Sequence, residues 1–266
     1  MRRSPSRGAM FLAIVLAPAT MLAMSVPAAP VTPVAQAHQA QKAQQPKAVE
    51  GLLLWNHLGS NRQLVRSEAG ARVMRVHDIR HPAGVRGGAA TSIGNNSNLR
   101  VSRADFFGAD RTQGAVEIYL QKRMPVSVPF KTPLPAVFGV WPYRGEWGPI
   151  DAYWSDGFTG KGGLQFEIVD AKGVTHTAND LGWDKVPVRT WVHVMFVWDT
   201  HGIGRSDDRL RIYRDGRLVA TNTDTIGAIA KAEGPVRILA NHAYNRLGRP
   251  ALIGDELLVW AVPKHP

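Results

Sequence analysis

Residues 141–158 read WPYRGEWGPIDAYWSDGF and crowd aromatic rings, carboxylates, glycines and prolines into one short stretch. Aromatic faces stack on the C–H faces of sugar rings, and nearby acids, amides and arginines bind hydroxyls. Tyr143, Arg144, Glu146, Trp147, Asp151, Tyr153, Trp154 and Asp156 therefore suit a carbohydrate surface, with Trp183 of the later DLGWDK segment as a further ring. The competing reading is that the rings anchor a loop to a core. Trp141 ends an apolar run through Val137, Phe138 and Val140 and suits the core, whereas Trp147 suits ligand contact.

The same acids could in principle cut a glycosidic bond. Retaining hydrolysis needs two carboxyl groups about 5 Å apart, and inverting hydrolysis about 6.5–9.5 Å. No strand here carries carboxylates at alternate positions. The nearest pairs, Glu146 with Asp151 and Asp151 with Asp156, fall in a glycine-rich segment that would hold them poorly, so turn-forming and solvated roles are favoured. Other chemistries find less. There is no Gly-x-Ser-x-Gly elbow and no cysteine nucleophile. GVRGGAATSIG (84–94) lacks the Gly-Lys-Ser/Thr ending of a phosphate loop. His77 and His81 flank a segment that Pro82 keeps from being helical, so zinc spacing is absent. His193 sits mid-strand and reads as a hydrogen-bonded histidine at the core edge. Asp255 interrupts an apolar strand and reads as a structural acceptor that needs backbone donors or a cation.

Something must position these groups, and the chain around them is organised simply. Arg2, Arg3 and Arg7 precede an apolar run from Met10 to Val26, and Ala35-Gln36-Ala37 offers a cleavage site before His38. This predicts a signal peptide over 1–37, and hence a secreted or periplasmic protein without stable membrane insertion after cleavage. Residues 38–49 continue a Pro-, Ala- and Gln-rich composition that cannot bury enough surface to fold, and are expected to be a flexible linker. One domain then spans 50–266, long enough to stand without disulfides, which the absence of cysteine requires. The net charge is +11, and would be +8 without the three leader arginines. Such a surplus attracts anionic polymers, acidic polysaccharide among them. Nucleic acid is not expected, since the basic residues are scattered and no nucleic-acid motif accompanies them.

Within the domain the apolar period is two. In 114–122, Val116, Ile118 and Leu120 face one way and Glu117, Tyr119 and Gln121 the other. In 163–170, Leu164, Phe166 and Ile168 repeat the pattern. Residues 190–199 are apolar on nearly both faces, with Trp191, His193, Met195 and Val197 on one and Val192, Val194, Phe196 and Trp198 on the other. Residues 209–222 carry Asp215-Gly216 between two alternating runs, a strong hairpin signal because the tight turn needs positive φ at both central residues. Segments 71–76, 98–102, 235–240 and 251–262 are further strands. Many short strands with Gly/Pro punctuation and no long helical period predict an all-β, two-sheet antiparallel sandwich or jelly roll.

Four pieces in order carry a resemblance: Gly114-Ala115-Val116-Glu117-Ile118-Tyr119, then Trp191-Val192-His193-Val194 running to Trp198-Asp199, then Tyr213-Arg214-Asp215-Gly216, then Asp255-Glu256-Leu257. Together they resemble the laminin-G-like domains of the concanavalin A-like lectin/glucanase superfamily, across roughly 80–262. The resemblance implies a jelly roll, with 141–158 a long connection between core strands. It does not fix function, because that superfamily holds sugar binders, adhesion modules and enzymes. The expectation is a secreted, non-catalytic carbohydrate-binding or adhesion module whose partner is a polysaccharide or glycan, acidic ones included. Against it stand a polysaccharide lyase or glycoside hydrolase on the same fold, faintly echoed by Arg66-Ser67-Glu68 and Tyr244-Asn245-Arg246, and a structural protein-interaction module of the cell envelope. The balance of residues weighs against an enzyme without closing the question. No cofactor is required. Calcium is admitted by the resemblance, with oxygens at Asn179, Asp180, Asp184, Asp207 and Asp208, but no ligand set is assigned.

Overall fold

The computed structural model describes residues 49–266 except 71–72, 94–97, 108–110, 125–134, 141–147, 157–161, 232 and 241–250. All of these described residues lie in one compact unit, Gln45–Pro266. The expected signal peptide (1–37) and all but the last residue of the expected linker (38–49) lie outside them. Among the described residues no helix is long and apolar enough to cross a membrane.

The period-two segments form two seven-stranded antiparallel sheets. The first sheet contains β1 (Leu52–Asn56), β2 (Ala69–Gly70), β9 (Gln113–Lys122), β14 (Trp191–Asp199), β15 (Leu210–Arg214), β16 (Arg217–Asn222) and β18 (Leu252–Trp260), in the order β16-β15-β14-β9-β18-β1-β2. The second contains β3 (Val73–His77), β8 (Asn98–Val101), β10 (Ala136–Gly139), β11 (Ile150–Asp156), β12 (Gly162–Val169), β13 (Thr175–Asp180) and β17 (Val236–Ile238), in the order β13-β12-β11-β10-β17-β8-β3. Four two-residue strands, β4 (Ile79–Arg80), β5 (Ala83–Gly84), β6 (Gly87–Gly88) and β7 (Thr91–Ser92), make small ribbons between β3 and β8. Two short α-helices, α1 (Asn61–Leu64) and α2 (Arg103–Phe107), and a 3-10 turn over Leu181–Lys185 complete the order among the described residues.

The core lies between the sheets. Val116, Ile118 and Leu120 of β9 and Val194, Phe196 and Trp198 of β14 are fully buried there, facing Phe138 of β10, Trp154 of β11 and Phe166 of β12. Phe138, Phe166, Phe196 and Trp198 form a chain of tilted and edge-on rings at centroid distances of 5.4–6.2 Å, the arrangement that aromatic quadrupoles favour. The Asp215-Gly216 turn forms as its chemistry requires, with φ of 48° and 77°, and Arg214 pairs with Arg217 across it.

The structure corrects the reading of 141–158 as a single connection. Residues 150–156 are strand β11, third from one edge of the second sheet, paired with β10 and β12. Gly148-Pro149 before it and Gly157 after it punctuate the segment, while Ile150, Ala152 and Trp154 keep the period of a strand whose alternate residues enter the core.

Candidate functional site

The residues expected to bind ligand divide sharply. Tyr143, Arg144, Glu146 and Trp147 lie outside the described residues, and of Asp156 only the backbone, at the end of β11, is described. Asp151, Tyr153, Trp154 and Trp183 are all buried, at 0, 4, 0 and 0% exposure. Asp151 accepts the Val140 N–H at 3.1 Å and so closes the β10–β11 connection. Burial, with Glu167 beside it, holds the Tyr153 hydroxyl far above the ordinary phenol range. Trp154 and Trp183 enclose Lys122, whose Nζ lies 5.4 and 5.7 Å from their ring centroids and donates to the carbonyls of Trp183 and Asp184 at 2.8 and 3.1 Å. The Trp154 indole N–H donates to Asp184 Oδ1 at 3.2 Å. These two rings therefore stabilise a buried ammonium and present no open face to a sugar. The anchoring alternative holds for both.

Three of the four carboxylates named for calcium have partners within the fold. Asp180 Oδ1 accepts the Gly182 N–H, and its Oδ2 lies 3.3 Å from Arg214. Asp184 accepts from Trp154, and Asp208 pairs with Arg211 at 2.7 Å. Among the described residues no three His, Cys, Asp or Glu side chains are arranged to hold a metal ion.

An accessible arrangement lies instead on the outward face of the first sheet. Strand pairing sets residues side by side there, because directly opposed residues share a face. One row runs Trp55, Leu258, Glu117, Met195, Tyr213. The next runs Asp255, Tyr119, His193, and a third Ile253, Gln121, Trp191. Two segments cover the ends of this face. Ile203 packs over Ala115, Met195, Val197 and Tyr213 on one side. On the other, residues 84–86 fold over Asp255, whose Oδ2 accepts the N–H groups of Val85 and Arg86 at 2.7 and 3.2 Å. Between the two covers, Trp55, Glu117, Tyr119, Trp191, His193 and Leu258 remain partly exposed.

The Tyr119 and His193 rings meet at 4.9 Å between centroids, inclined at 43°. Glu117 Oε2 stands 3.4 Å from His193 Nε2. The His193 backbone is clamped by the turn, its N–H donating to Asp215 Oδ1 at 3.0 Å and its carbonyl accepting the Asp215 N–H at 2.8 Å. Burial raises the Tyr119 phenol above its ordinary value, opposed by the nearby Arg86 charge, so Tyr119 is a neutral donor at physiological pH. A bulge in β18 places Glu256 at φ 53°, where its carboxylate accepts from the Trp55 indole at 3.2 Å and meets His57 Nδ1 at 2.6 Å. The Glu256 bond raises the His57 pKa, against the opposing effect of burial.

Chemically, this trough offers aromatic faces, neutral and charged hydrogen-bond groups, and the half-buried Glu117 carboxylate beside His193. Asp255 and Glu256 are spent on structural bonds: the Glu256 N–H closes on Asp255 Oδ1 at 2.9 Å, and Glu256 holds Trp55 and His57. Alternation in the sequence had already put Glu117 with Tyr119, and Trp191 with His193, on shared faces. Only the pairing of β9 with β14, which alternation does not carry, shows that the two faces are one.

Residues 138–260 match a laminin G family model described as belonging to the concanavalin A-like lectin/glucanases superfamily. No curated protein matches the chain. Among solved structures, it is similar to the binding domain of Paraclostridial mosquitocidal protein 1, with a TM-score of 0.58 and 10% identity over 81% of this chain and 50% of that one. It is also similar to the botulinum neurotoxin type G receptor-binding domain, with a TM-score of 0.55 and 9% identity over 81% of this chain and 49% of that one. A third similar structure is domain 4 of AbnA, a GH43 extracellular arabinanase from Geobacillus stearothermophilus, in complex with arabinotriose: TM-score 0.53, 14% identity, 80% of this chain and 93% of that one. The chain thus spans about half the length of the two toxin domains and nearly all of the arabinanase domain. At these identities the likeness is one of fold.

Proposed function

We propose that this sandwich, matched by the laminin G model over 138–260, is an exported, non-catalytic glycan-binding module whose ligand lies along the outward trough of its first sheet. The observation that carries the proposal is the Tyr119–His193 ring pair, held at 4.9 Å beside Glu117 on an open strip bounded by two covering segments. Rings at one level with polar groups between them are what stacking against a sugar requires. The solved complex of a similar fold with arabinotriose supports the ligand class. The non-catalytic part of the reading is supported by the acids of this strip: glycoside hydrolysis uses two available carboxyl groups, and Asp255 and Glu256 beside Glu117 are bonded into the fold. The proposal needs no metal.

Affinity electrophoresis of the full chain through gels carrying neutral or acidic polysaccharides tests the proposal, with and without a chelator. At least one polysaccharide retards the protein, and the chelator changes nothing. Tyr119→Ala weakens retardation by up to about tenfold, the equivalent of one lost stacking contact. Failure of every polysaccharide to retard the protein contradicts the proposal. So does a Trp147→Ala variant that loses binding while Tyr119→Ala keeps it, since the ligand would then sit at the 141–147 segment.

A further inference from the structure

At one end of the outward trough, the β4–β7 ribbon stands over β18 and the end of β9 and encloses an open recess of about 370 Å3. Arg80, His81, Pro82, Thr91, Ile93, Arg123 and Ile253 line it. Three of these seven carry basic side chains and none is acidic. The polar groups deeper in the wall are already used. His81 Nδ1 lies 3.0 and 3.1 Å from the carbonyls of Leu58 and Ala89, and its Nε2 lies 3.0 Å from Asn61 Oδ1. The Thr91 hydroxyl donates to the Leu252 carbonyl at 2.7 Å. What remains is the two exposed guanidinium groups. Arg123 commits one N–H to Gln121 Oε1 at 3.1 Å and keeps its other donors. Among the described residues, neither Arg80 nor Arg123 has a carboxylate within ion-pair distance.

The recess is built rather than incidental. Arg80 pairs with Thr91 in the ribbon, and Ala90 exchanges backbone hydrogen bonds with Gly254 at 2.8 and 2.9 Å, which fixes the ribbon to β18. The Arg123 N–H bonds the Ala251 carbonyl at 2.9 Å. The recess adjoins the trough along the sheet, because Ile253 in its wall shares one outward row with Gln121 and Trp191.

The geometry points to an anion subsite: the recess takes the carboxylate or sulfate of an acidic sugar residue, gripped by Arg80 and Arg123, while the partly exposed Ile93 and Pro82 meet the ring's apolar face. Guanidinium forks match carboxylate and sulfate oxygens, and two arginines without a competing acid form a charge-assisted site. This rests on the glycan-binding reading and narrows it to acidic glycans.

The test is a titration of the full chain with glucuronate, and separately with glucose, followed by the backbone amide NMR signals of Thr91, Ile93 and Ile253. Glucuronate shifts these signals saturably and glucose does not. Arg80→Ala or Arg123→Ala weakens the glucuronate response about tenfold each, the size of one lost charge-assisted contact. Arg217→Ala, on the far edge strand, leaves it unchanged. Equal responses to the two sugars, or an Arg217→Ala loss as large as the others, overturns the subsite. The two proposals fail separately. Polysaccharide retardation that depends on Tyr119 without any glucuronate response leaves the glycan reading standing and removes the subsite. A glucuronate response in a protein that no polysaccharide retards does the reverse.

Discussion

Asp255 reads from the sequence as a structural acceptor in need of backbone donors, and the fold supplies them. It sits in an apolar strand, beside a second acid, at 0% exposure. Its oxygens accept three backbone N–H groups, from Val85, Arg86 and Glu256. Burial raises its pKa, and those amides oppose the rise. Asp255→Ala is expected to cost about 3 kcal/mol by orphaning the three donors, measured by urea unfolding, while Asp255→Asn recovers part of the loss. His57 behaves differently. Its raised pKa stems from Glu256, so the contact stabilises the folded state below the unfolded histidine value of about 6.5 and is lost as pH rises through the folded value. The difference in thermal midpoint between the wild type and His57→Gln should therefore be larger near pH 6 than near pH 8.5. A constant difference across that range contradicts the assignment. Lys122 is a third case, invisible in sequence because a lysine at a strand end reads as solvated. The fold instead buries it at 1% exposure between two indoles, where burial lowers its pKa.

Elements were more legible than residues, and the reasons are physical. Alternation in β9, β12 and β14 and the Asp-Gly turn between β15 and β16 are local signals, and local signals survive without knowledge of partners. β11 was not legible as a strand, because its inward residue Trp154 and its outward neighbours Asp151 and Tyr153 are the same types that make a sugar-binding loop. Trp154 is buried against Lys122 and Asp184, which lie on other elements and which alternation does not reveal. The candidate site was illegible for a related reason: its rows combine residues from β1, β9, β14 and β18, joined only by pairing. Register depends on such exact fits. At Gly70, φ is 74° and an added Cβ would fall 1.7 Å from the Leu53 carbonyl oxygen. Gly70→Ala should then detach β2 from β1 and lower stability by more than about 1 kcal/mol, read from denaturant midpoints. An unchanged midpoint would show that the β1–β2 pairing contributes nothing.

On the scale of the whole molecule, the two sheets divide the work. Their shared interior supplies stability without a single disulfide, and the second sheet holds the buried Trp154 of the segment that first suggested a sugar surface. The outward face of the first sheet, left open between the ribbon at 79–92 and the segment around Ile203, supplies the accessible chemistry. The most direct measurement is hydroxyl-radical footprinting of the full chain with and without the polysaccharide that retards it most. Protection of Tyr119, Trp191 and Trp55, with Trp154 and Trp183 unreactive in both states, is the predicted result. Protection confined to 141–147, with Tyr119 and Trp191 labelled equally in both states, would contradict it.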